Sequence, residues 1–140
     1  MERLVIAGAI VVVAVVVAMV LQRRRPDAPT QPRWTVPAQL DRQDFVRPDA
    51  PWLVAVFTSA TCSTCAEVFD KAALVASDVV AVDHVEVGAR PDGHQRYGID
   101  AVPTLVIADA MGVVRASFVG PVTAADLWSA VAEARDSADG

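Results

Sequence analysis

Cysteine and histidine are scarce in this chain of 140 residues, which contains two of each. A zinc site built on Cys62 and Cys65 would need His84 and His94 as its remaining ligands, and these two lack the short spacing of a zinc finger. No cysteine lies near the end of the apolar N-terminal stretch, which excludes a lipid attachment there. We expect no resident metal and no cofactor, with zinc as a minor alternative, and we expect His94 to face solvent without a role.

Basic side chains are also few in the part of the chain that can fold. From Trp34 to the C-terminus, 7 Lys and Arg residues stand against 15 Asp and Glu residues, which gives a net charge near −8. Nucleic acids and anionic lipid surfaces attract proteins through clustered positive charge. We therefore expect no binding to nucleic acid and no electrostatic adhesion to a membrane. The simplest role of the acidic surface is solubility.

Charge is absent from Leu4–Leu21, a run of 18 residues rich in Val, Ala, Ile and Leu. A helix rises about 1.5 Å per residue, so the run just spans a hydrocarbon core of about 30 Å. A lone segment in lipid must be helical to satisfy its own backbone groups. A cleaved signal peptide is the alternative, but basic residues 23–25 follow the run instead of a small-residue cleavage site. Residues 1–25 are therefore predicted to be an uncleaved transmembrane anchor with a basic flank.

The positive charge after this run predicts its orientation. Residues 23–25 are all arginine and outweigh Arg3 and the terminal amine, so the positive-inside rule favours a cytoplasmic domain. An extracytoplasmic domain remains the alternative. Residues 26–33 are rich in proline and are predicted to be an extended linker. The folded domain is predicted over residues 34–136, followed by a disordered tail at residues 137–140.

Hydrophobic periodicity within the domain alternates between strand and helix patterns. The run Trp52–Phe57 is continuously apolar, as expected of a central strand covered on both faces. The predicted strands are Trp34–Val36, Trp52–Phe57, Val79–Val87, Thr104–Ala108 and Val113–Val119, and the predicted helices are Ala38–Val46, Cys65–Ala76, Pro91–Tyr97 and Thr123–Arg135. Buried apolar contacts are predicted at Leu40, Phe45, Val68, Phe69, Ala72, Ala73, Leu74, Leu127, Trp128 and Val131. This order predicts a mixed sheet that ends in an antiparallel hairpin, with helices on both faces.

Cys62-Ser63-Thr64-Cys65 follows the strand Trp52–Phe57 and opens the predicted helix after it. At this spacing both sulfurs lie at one helix end, where a disulfide can close and reopen with little backbone movement. Unpaired helix N–H groups and the helix dipole favour a thiolate at Cys62. The alternatives are a structural disulfide, which gains little from so short a loop, and a copper-carrying ferredoxin-like domain. The motif predicts dithiol redox chemistry.

Further segments accompany the cysteines in a pattern typical of one family. They are Val54-Ala55-Val56-Phe57 before the cysteine motif, Tyr97-Gly98-Ile99-Asp100-Ala101-Val102-Pro103-Thr104 about forty residues after it, and glycines at positions 112 and 120. With these features, residues 34–135 resemble a thioredoxin-fold domain. The resemblance implies an α/β thioredoxin fold, a central mixed β-sheet flanked by helices, preceded in this chain by one predicted N-terminal transmembrane helix.

The resemblance also implies roles for the site residues. Cys62 is the attacking thiolate that forms a mixed disulfide with the client, and Cys65 is the more covered thiol that resolves it. The Val102–Pro103 peptide bond is cis and faces the cysteines, and the backbone around it holds the client chain. A trans proline that merely opens the strand is the alternative.

Several positions depart from the family pattern. Thr61 replaces an aromatic residue and Ser63-Thr64 replaces Gly-Pro, so hydroxyls are placed where they can stabilise a thiolate. Val56 replaces the buried acid credited with proton transfer, which must then be slower or use water or another group. His84, at the position of a family lysine, can act as a base, but a partly exposed strand histidine without a catalytic role is favoured.

The sequence thus predicts a membrane-tethered thiol–disulfide oxidoreductase that exchanges protein disulfides through Cys62 and Cys65. In the cytoplasm the pair is kept reduced, so the expected direction is reduction of the client. The alternatives are a thioredoxin-fold metal-binding or cofactor-assembly module that uses the same cysteines, and a non-catalytic adaptor. The expected partners are a disulfide-containing protein client, a redox donor and, through the N-terminal helix, membrane lipid. Nothing in the sequence requires more than a monomer.

Overall fold

The computed structural model describes residues 1, 6, 11–17 and 34–138. The chain divides into two compact units, Met1–Arg33 and Trp34–Gly140. In the first unit residues 6 and 11–17 are helical. The rest of the predicted anchor, apart from residue 1, and the whole predicted linker at residues 26–33 lie outside the described residues. Within the described ranges, no helix combines the length and the apolar character that crossing a membrane requires.

Four strands form one mixed sheet in the second unit. They are β1, Trp52–Thr58; β2, Val80–Glu86; β3, Thr104–Ala108; and β4, Val114–Val119, in the order β2-β1-β3-β4. β1 is parallel to β2 and antiparallel to β3, and β3 is antiparallel to β4. Every residue of β1 is buried, as the continuous apolar run predicts for a strand covered on both faces. The predicted mixed sheet with its C-terminal hairpin is confirmed.

Three α-helices cover this sheet: α1, Cys65–Ala73; α2, Pro91–Arg96; and α3, Ala124–Ala138. Successive side chains of β1 point to opposite faces, so they enter two separate apolar cores. The core on the side of α1 and α3 includes Val54, Val56, Val68, Leu105, Ile107, Leu127 and Val131. The core on the other side includes Leu40, Phe45, Leu53, Phe57, Tyr97 and Val106. The predicted placement of apolar layers on both faces is confirmed.

The N-terminal part of the domain differs from the prediction. Residues 34–36 form no strand, so the described sheet has four strands where five were predicted. The predicted helix Ala38–Val46 is reduced to a 3-10 turn at Arg42–Asp44. Leu40 and Phe45 are nevertheless buried, as predicted. The apolar contacts could be read from the sequence, whereas the backbone conformation between them could not.

Side chains from this segment make the contacts that replace a regular helix. The Arg42 guanidinium donates a hydrogen bond of 2.8 Å to the carbonyl of Ala50. The Arg47 guanidinium donates bonds of 2.7 Å and 2.6 Å to the carbonyls of Ser77 and Asp78. The residues that accept from Arg47 lie about thirty positions further along the chain. A local sequence pattern cannot reveal such partners.

The ends of two helices also differ from the prediction. α1 ends at Ala73, because the amides of residues 74–76 bond to carbonyls three residues back in turn geometry. α3 runs to Ala138, so its helix occupies the first two residues of the predicted disordered tail, and residues 139–140 lie outside the described residues. Ala73 and Leu74 were predicted to be core contacts, but both are exposed, Leu74 by 70%. Trp128 on α3 was also predicted to be a core contact, but it is 52% exposed. The neighbouring Leu127 enters the core instead.

Candidate active site

The cysteine motif lies at the carboxyl end of β1, where the chain turns into α1. The Cys62 amide donates a hydrogen bond of 3.1 Å to the Ser59 carbonyl, and Cys65 is the first residue of the helix. Cys62 and Cys65 form a disulfide with a Cα–Cα distance of 5.5 Å. Cys65 is buried, whereas Cys62 is half-buried. The more accessible first sulfur suits attack on a client, and the covered second sulfur suits the resolving step.

The three hydroxyl side chains considered as tuning groups differ in their partners. Thr64 is the N-cap residue of α1, but its hydroxyl makes no capping bond and lies 3.8 Å from Cys62 Sγ. The Thr61 hydroxyl lies 3.1 Å from the Ser59 hydroxyl instead. Ser63 is exposed to solvent. Thr64 therefore carries the hydroxyl that reaches the sulfur.

The Val102–Pro103 peptide bond is cis, as the resemblance implied. Phe57 near the end of β1 pairs with Thr104 at the start of β3, so the cis bond lies at the same end of the sheet as the cysteine motif. The Pro103 carbonyl accepts a hydrogen bond of 2.8 Å from the Gly120 amide. Within the described residues, the amide and carbonyl of Val102 make no backbone hydrogen bond. These groups are open to another extended chain.

Behind the cysteine motif the sheet presents an apolar residue beside a histidine. Val56 is fully buried and pairs in register with His84 on β2. His84 Nε2 lies 2.7 Å from the Thr58 hydroxyl, and the His84 ring stacks on Phe69 with 4.3 Å between ring centroids. Phe69 lies one helical turn after Cys65, so His84 links β1, β2 and the cysteine-bearing helix. Its side chain is exposed, and these contacts give it a packing and hydrogen-bonding role.

Glu86 is a residue of the site that the sequence reading missed. Its carboxylate accepts hydrogen bonds of 3.2 Å from the Ala60 amide, two residues before Cys62, and of 2.8 Å from the Ala89 amide. Backbone hydrogen bonds, from Gly88 first and then from Ala89, hold the pKa of Glu86 below its ordinary value. The carboxylate thus joins the cysteine loop to the loop after β2. Glu86 could have been predicted as a site residue only from the pairing of β1 with β2, which places it opposite Thr58 at the end of β1.

His94 was predicted to face solvent, and this prediction is wrong. His94 is 7% exposed, its Nε2 lies 2.8 Å from the Val85 carbonyl oxygen, and its ring packs edge-on against Phe57. Phe57 and Val85 belong to the core on the α2 side, whereas His84 stacks on α1 at the opposite face. The two histidines therefore do not complete a zinc site with the cysteines. No group of three or more His, Cys, Asp or Glu side chains in the described ranges is arranged to hold a metal.

Solved structures that resemble this chain include two thioredoxins. A mutant thioredoxin from Halobacterium salinarum is 21% identical, with a TM-score of 0.56, and the match covers 76% of this chain and 95% of that one. The reduced thioredoxin pre-protein from Schistosoma mansoni is 19% identical, with a TM-score of 0.49, and the match covers 61% of this chain and 80% of that one. The Halobacterium structure shows that the two proteins share a fold.

The sequence of the domain also matches a family model. The model is described as thioredoxin and matches residues 38–133, which include the cysteine motif, the cis proline and all four strands. No match was found among curated proteins. Because the family model covers more than half of the chain, the protein belongs to the thioredoxin family.

Proposed function

We propose that this protein is a membrane-tethered thiol–disulfide oxidoreductase that reduces disulfide bonds in protein clients. The observation that carries the proposal is the Cys62–Cys65 disulfide at the start of α1, at the same end of the sheet as the cis Val102–Pro103 bond. Family membership supports thiol–disulfide exchange in general. The direction, the kind of client and the tether are proposed on chemical grounds.

The proposed reaction moves two electrons from the reduced dithiol to a client disulfide. The Cys62 thiolate attacks one client sulfur and forms a mixed disulfide, while the other client sulfur leaves as a thiolate. Cys65 then gives up its proton and attacks the Cys62 sulfur of the mixed disulfide. The products are the Cys62–Cys65 disulfide and a reduced client with one thiol and one thiolate, and the thiolate takes its proton from water. A dithiol donor supplies the two electrons that restore the reduced pair.

The proton of Cys65 needs an acceptor other than a carboxylate on β1, because Val56 occupies that part of the sheet. Val56 is apolar, fully buried and in the core under α1. The client thiolate released in the first step is a suitable acceptor, since an unperturbed thiolate takes up a proton at a pKa of about 8.5. One proton then passes from Cys65 to the first client sulfur, and the second client sulfur takes its proton from water.

The tether and the direction are proposed from the N-terminal sequence. The 18 uncharged residues of Leu4–Leu21 match the thickness of a bilayer, and the arginines at 23–25 favour a cytoplasmic domain. Cytoplasmic reductants keep exposed dithiols reduced, so the pair in that compartment donates electrons. The proposed partners are a disulfide-bonded client, a dithiol donor and membrane lipid. One chain suffices, because both cysteines of the reacting pair belong to it.

Turnover of a model disulfide tests the activity. The full chain in detergent is mixed with insulin and dithiothreitol, and the appearance of insoluble reduced insulin chains is followed. We expect the wild-type chain to accelerate reduction and Cys62→Ser to return the rate to the uncatalysed background. Ser129→Ala, at an exposed position on α3, serves as the control and should keep the wild-type rate. A metal-binding module or an adaptor would leave all three at background.

Labelling in intact cells tests the tether and its orientation. Cells that express the full chain are treated with a membrane-impermeant thiol reagent, with and without an impermeant reductant, and compared with lysed cells. We expect labelling of Cys62 only after lysis, and retention of the chain in membranes washed with alkaline carbonate. Labelling in intact cells would overturn the orientation. If it also required prior reduction, the resting site would be an external disulfide and an oxidant would be the better assignment.

A further inference from the structure

The N-cap residue of α1, Thr64, does not form the hydrogen bond that a threonine usually makes at this position. A threonine at an N-cap usually takes an extended conformation, and its hydroxyl accepts a hydrogen bond from an amide two or three residues later. Thr64 instead has φ −98° and ψ −10°, in the helical region, and its side chain makes no capping bond. Its hydroxyl oxygen lies 3.8 Å from Cys62 Sγ. The Thr64 hydroxyl therefore contacts the Cys62 sulfur and not the free amides at the start of α1.

The neighbouring hydroxyls are engaged elsewhere or exposed. The hydroxyls of Ser59 and Thr61 lie 3.1 Å apart, and the Ser59 hydroxyl also accepts a bond of 3.3 Å from the Thr61 amide. Ser63 is exposed. Among the side chains of the described residues, Thr64 is the hydrogen-bonding contact of Cys62 apart from the disulfide itself.

The charged groups on the surrounding elements are bound to other partners or lie apart from the sulfur. Glu86 on β2 accepts from the Ala60 and Ala89 amides, and His84 on the same strand bonds to Thr58. On α1, Glu67 pairs with Lys71 at 2.6 Å, and Asp70 follows on the same helix. Asp100 precedes the cis proline and is exposed. None of these groups makes a hydrogen bond or an ion pair with the Cys62 sulfur in the part of the chain described.

We propose that in the reduced protein the Thr64 hydroxyl donates a hydrogen bond to the Cys62 thiolate and thereby shifts the dithiol–disulfide equilibrium toward the dithiol. This inference rests on the proposed function, in which Cys62 is the attacking thiolate. A thiolate is a far stronger acceptor than a disulfide sulfur, so the bond stabilises the reduced form more than the oxidised one. When a dithiol donor opens the disulfide, the donor is oxidised to its own disulfide and Cys65 takes up one of the donor's protons. The negative charge then stays on Cys62, and the hydroxyl proton stays on Thr64.

The titration of Cys62 tests the proposal. In a Cys65→Ala background of the full chain, the rate of alkylation by iodoacetamide is measured against pH, so that only Cys62 reacts. A hydrogen bond to a charged group corresponds to a factor of about ten to a hundred in equilibrium. Thr64→Val should therefore raise the pKa of Cys62 by about one to two units. Thr64→Ser keeps the hydroxyl and should restore the wild-type titration.

Thr61→Val and Ser63→Ala are the matched controls, because each removes a hydroxyl from the same loop without reaching the sulfur. Both should leave the Cys62 titration unchanged. With both cysteines present, Thr64→Val should also lower the equilibrium constant for reduction by glutathione about tenfold or more. An unchanged pKa in Thr64→Val, or equal shifts in all three variants, would overturn the proposal.

The oxidoreductase activity and the role of Thr64 can be tested independently of each other. If the wild-type chain did not reduce insulin, the proposed function would be contradicted, and the alkylation titration would still decide whether Thr64 stabilises the thiolate. If the wild-type chain reduced insulin and Thr64→Val left both the titration and the glutathione equilibrium unchanged, the oxidoreductase would stand and the role of Thr64 would fall.

Discussion

Hydrogen bonds from individual buried side chains hold the segment before β1 in place. Arg42 is 6% exposed, and it donates hydrogen bonds of 2.8 Å to the Ala50 carbonyl and 3.1 Å to the Asp109 carbonyl. Burial lowers the pKa of Arg42, and the negative charge of Asp109 opposes this effect. The guanidinium ties the 3-10 turn both to the start of β1 and to the β3–β4 turn. The segment keeps a defined path without a regular helix because of such contacts.

Arg42→Met should destabilise the domain by about 2–4 kcal/mol, because it keeps an apolar stem but leaves three carbonyls, those of Ala50, Asp109 and Arg47, without this donor. Urea denaturation of the full chain, followed by tryptophan fluorescence, measures the loss. Arg135→Met at an exposed position on α3 is the control and should change stability by no more than about 0.5 kcal/mol. Equal effects of the two substitutions would contradict the anchoring role of Arg42.

Tyr97 makes a second link to the same segment. Its hydroxyl donates a hydrogen bond to Asp44 and accepts one of 3.0 Å from the Asp41 amide. Burial, and next the hydrogen bond to Asp44, raise the pKa of Tyr97 to about 12. Tyr97 is the single tyrosine of the chain, so the absorbance of tyrosinate reports on this residue alone.

The raised pKa of Tyr97 predicts a pH dependence of folding. The unfolded state loses its tyrosine proton near pH 10.0 and the folded state near pH 12, so this stabilisation is complete below pH 10.0 and declines as pH rises through 12. Urea denaturation at a series of pH values measures the decline, and tyrosinate absorbance should place the folded midpoint near 12. Tyr97→Phe should remove this part of the decline. A tyrosinate midpoint near 10.0 in the folded protein would contradict the assignment.

At the scale of elements, the turn between β3 and β4 docks on the N-terminal segment. The Leu40 amide donates a hydrogen bond of 2.8 Å to the Gly112 carbonyl, and the Val114 amide donates one of 3.0 Å to the Ala38 carbonyl. Gly112 has φ +79°, and a Cβ atom at this position would overlap the Leu40 carbonyl oxygen. The turn therefore needs glycine both for its backbone conformation and for its close approach to the segment.

A pair of glycine substitutions separates these two requirements. Gly120 has φ +92° and open space where a methyl group would lie, so Gly120→Ala should cost only the strain of the left-handed conformation, about 1–2 kcal/mol. Gly112→Ala adds a steric overlap that typically costs about 1–3 kcal/mol more. Denaturation midpoints of both variants measure the difference. Equal losses of stability in the two variants would show that a methyl group at position 112 does not overlap the Leu40 carbonyl oxygen.

The elements that the sequence predicts well are those with a strong local pattern. Strands β1 to β4 fall within one residue of their predicted ends, because continuous apolar runs and bounding turn residues mark them. Ala38–Val46 was predicted to be a short helix with Leu40 and Phe45 as its apolar contacts, yet its backbone follows distant hydrogen bonds of Arg42 and Arg47. Tertiary contacts overrode local propensity there.

Some features of the candidate site could likewise be predicted from local sequence patterns, and others could not. Cys62, Cys65 and the cis Val102–Pro103 bond follow from motifs that survive in the linear sequence. The turn of the Thr64 hydroxyl toward the sulfur and the link from Glu86 to the cysteine loop depend on side-chain direction and strand register. A local sequence pattern specifies neither the direction of a side chain nor the register of two strands, so these two contacts could not be predicted from the sequence.

At the scale of the whole molecule, one domain presents a single disulfide at one end of a sheet. Both apolar cores lie against β1, and the cysteine motif follows directly from the end of that buried strand. The half-buried Cys62 is therefore presented from a firmly packed support. Such a support with one accessible sulfur suits repeated cycles of attack and release on different clients. The proposed membrane tether would confine those cycles to clients near a bilayer.

Trapping of mixed disulfides shows directly whether Cys62 attacks client disulfides and Cys65 resolves the intermediate. The full chain carrying Cys65→Ser is expressed in cells, thiols are blocked by acid quenching and alkylation, and covalent complexes are separated under non-reducing conditions. We expect complexes that disappear on reduction, because Cys62 still attacks while nothing resolves the intermediate. Cys62→Ser, alone or together with Cys65→Ser, should give none. Equal complexes from Cys62→Ser, or none from Cys65→Ser, would contradict attack by Cys62 and resolution by Cys65.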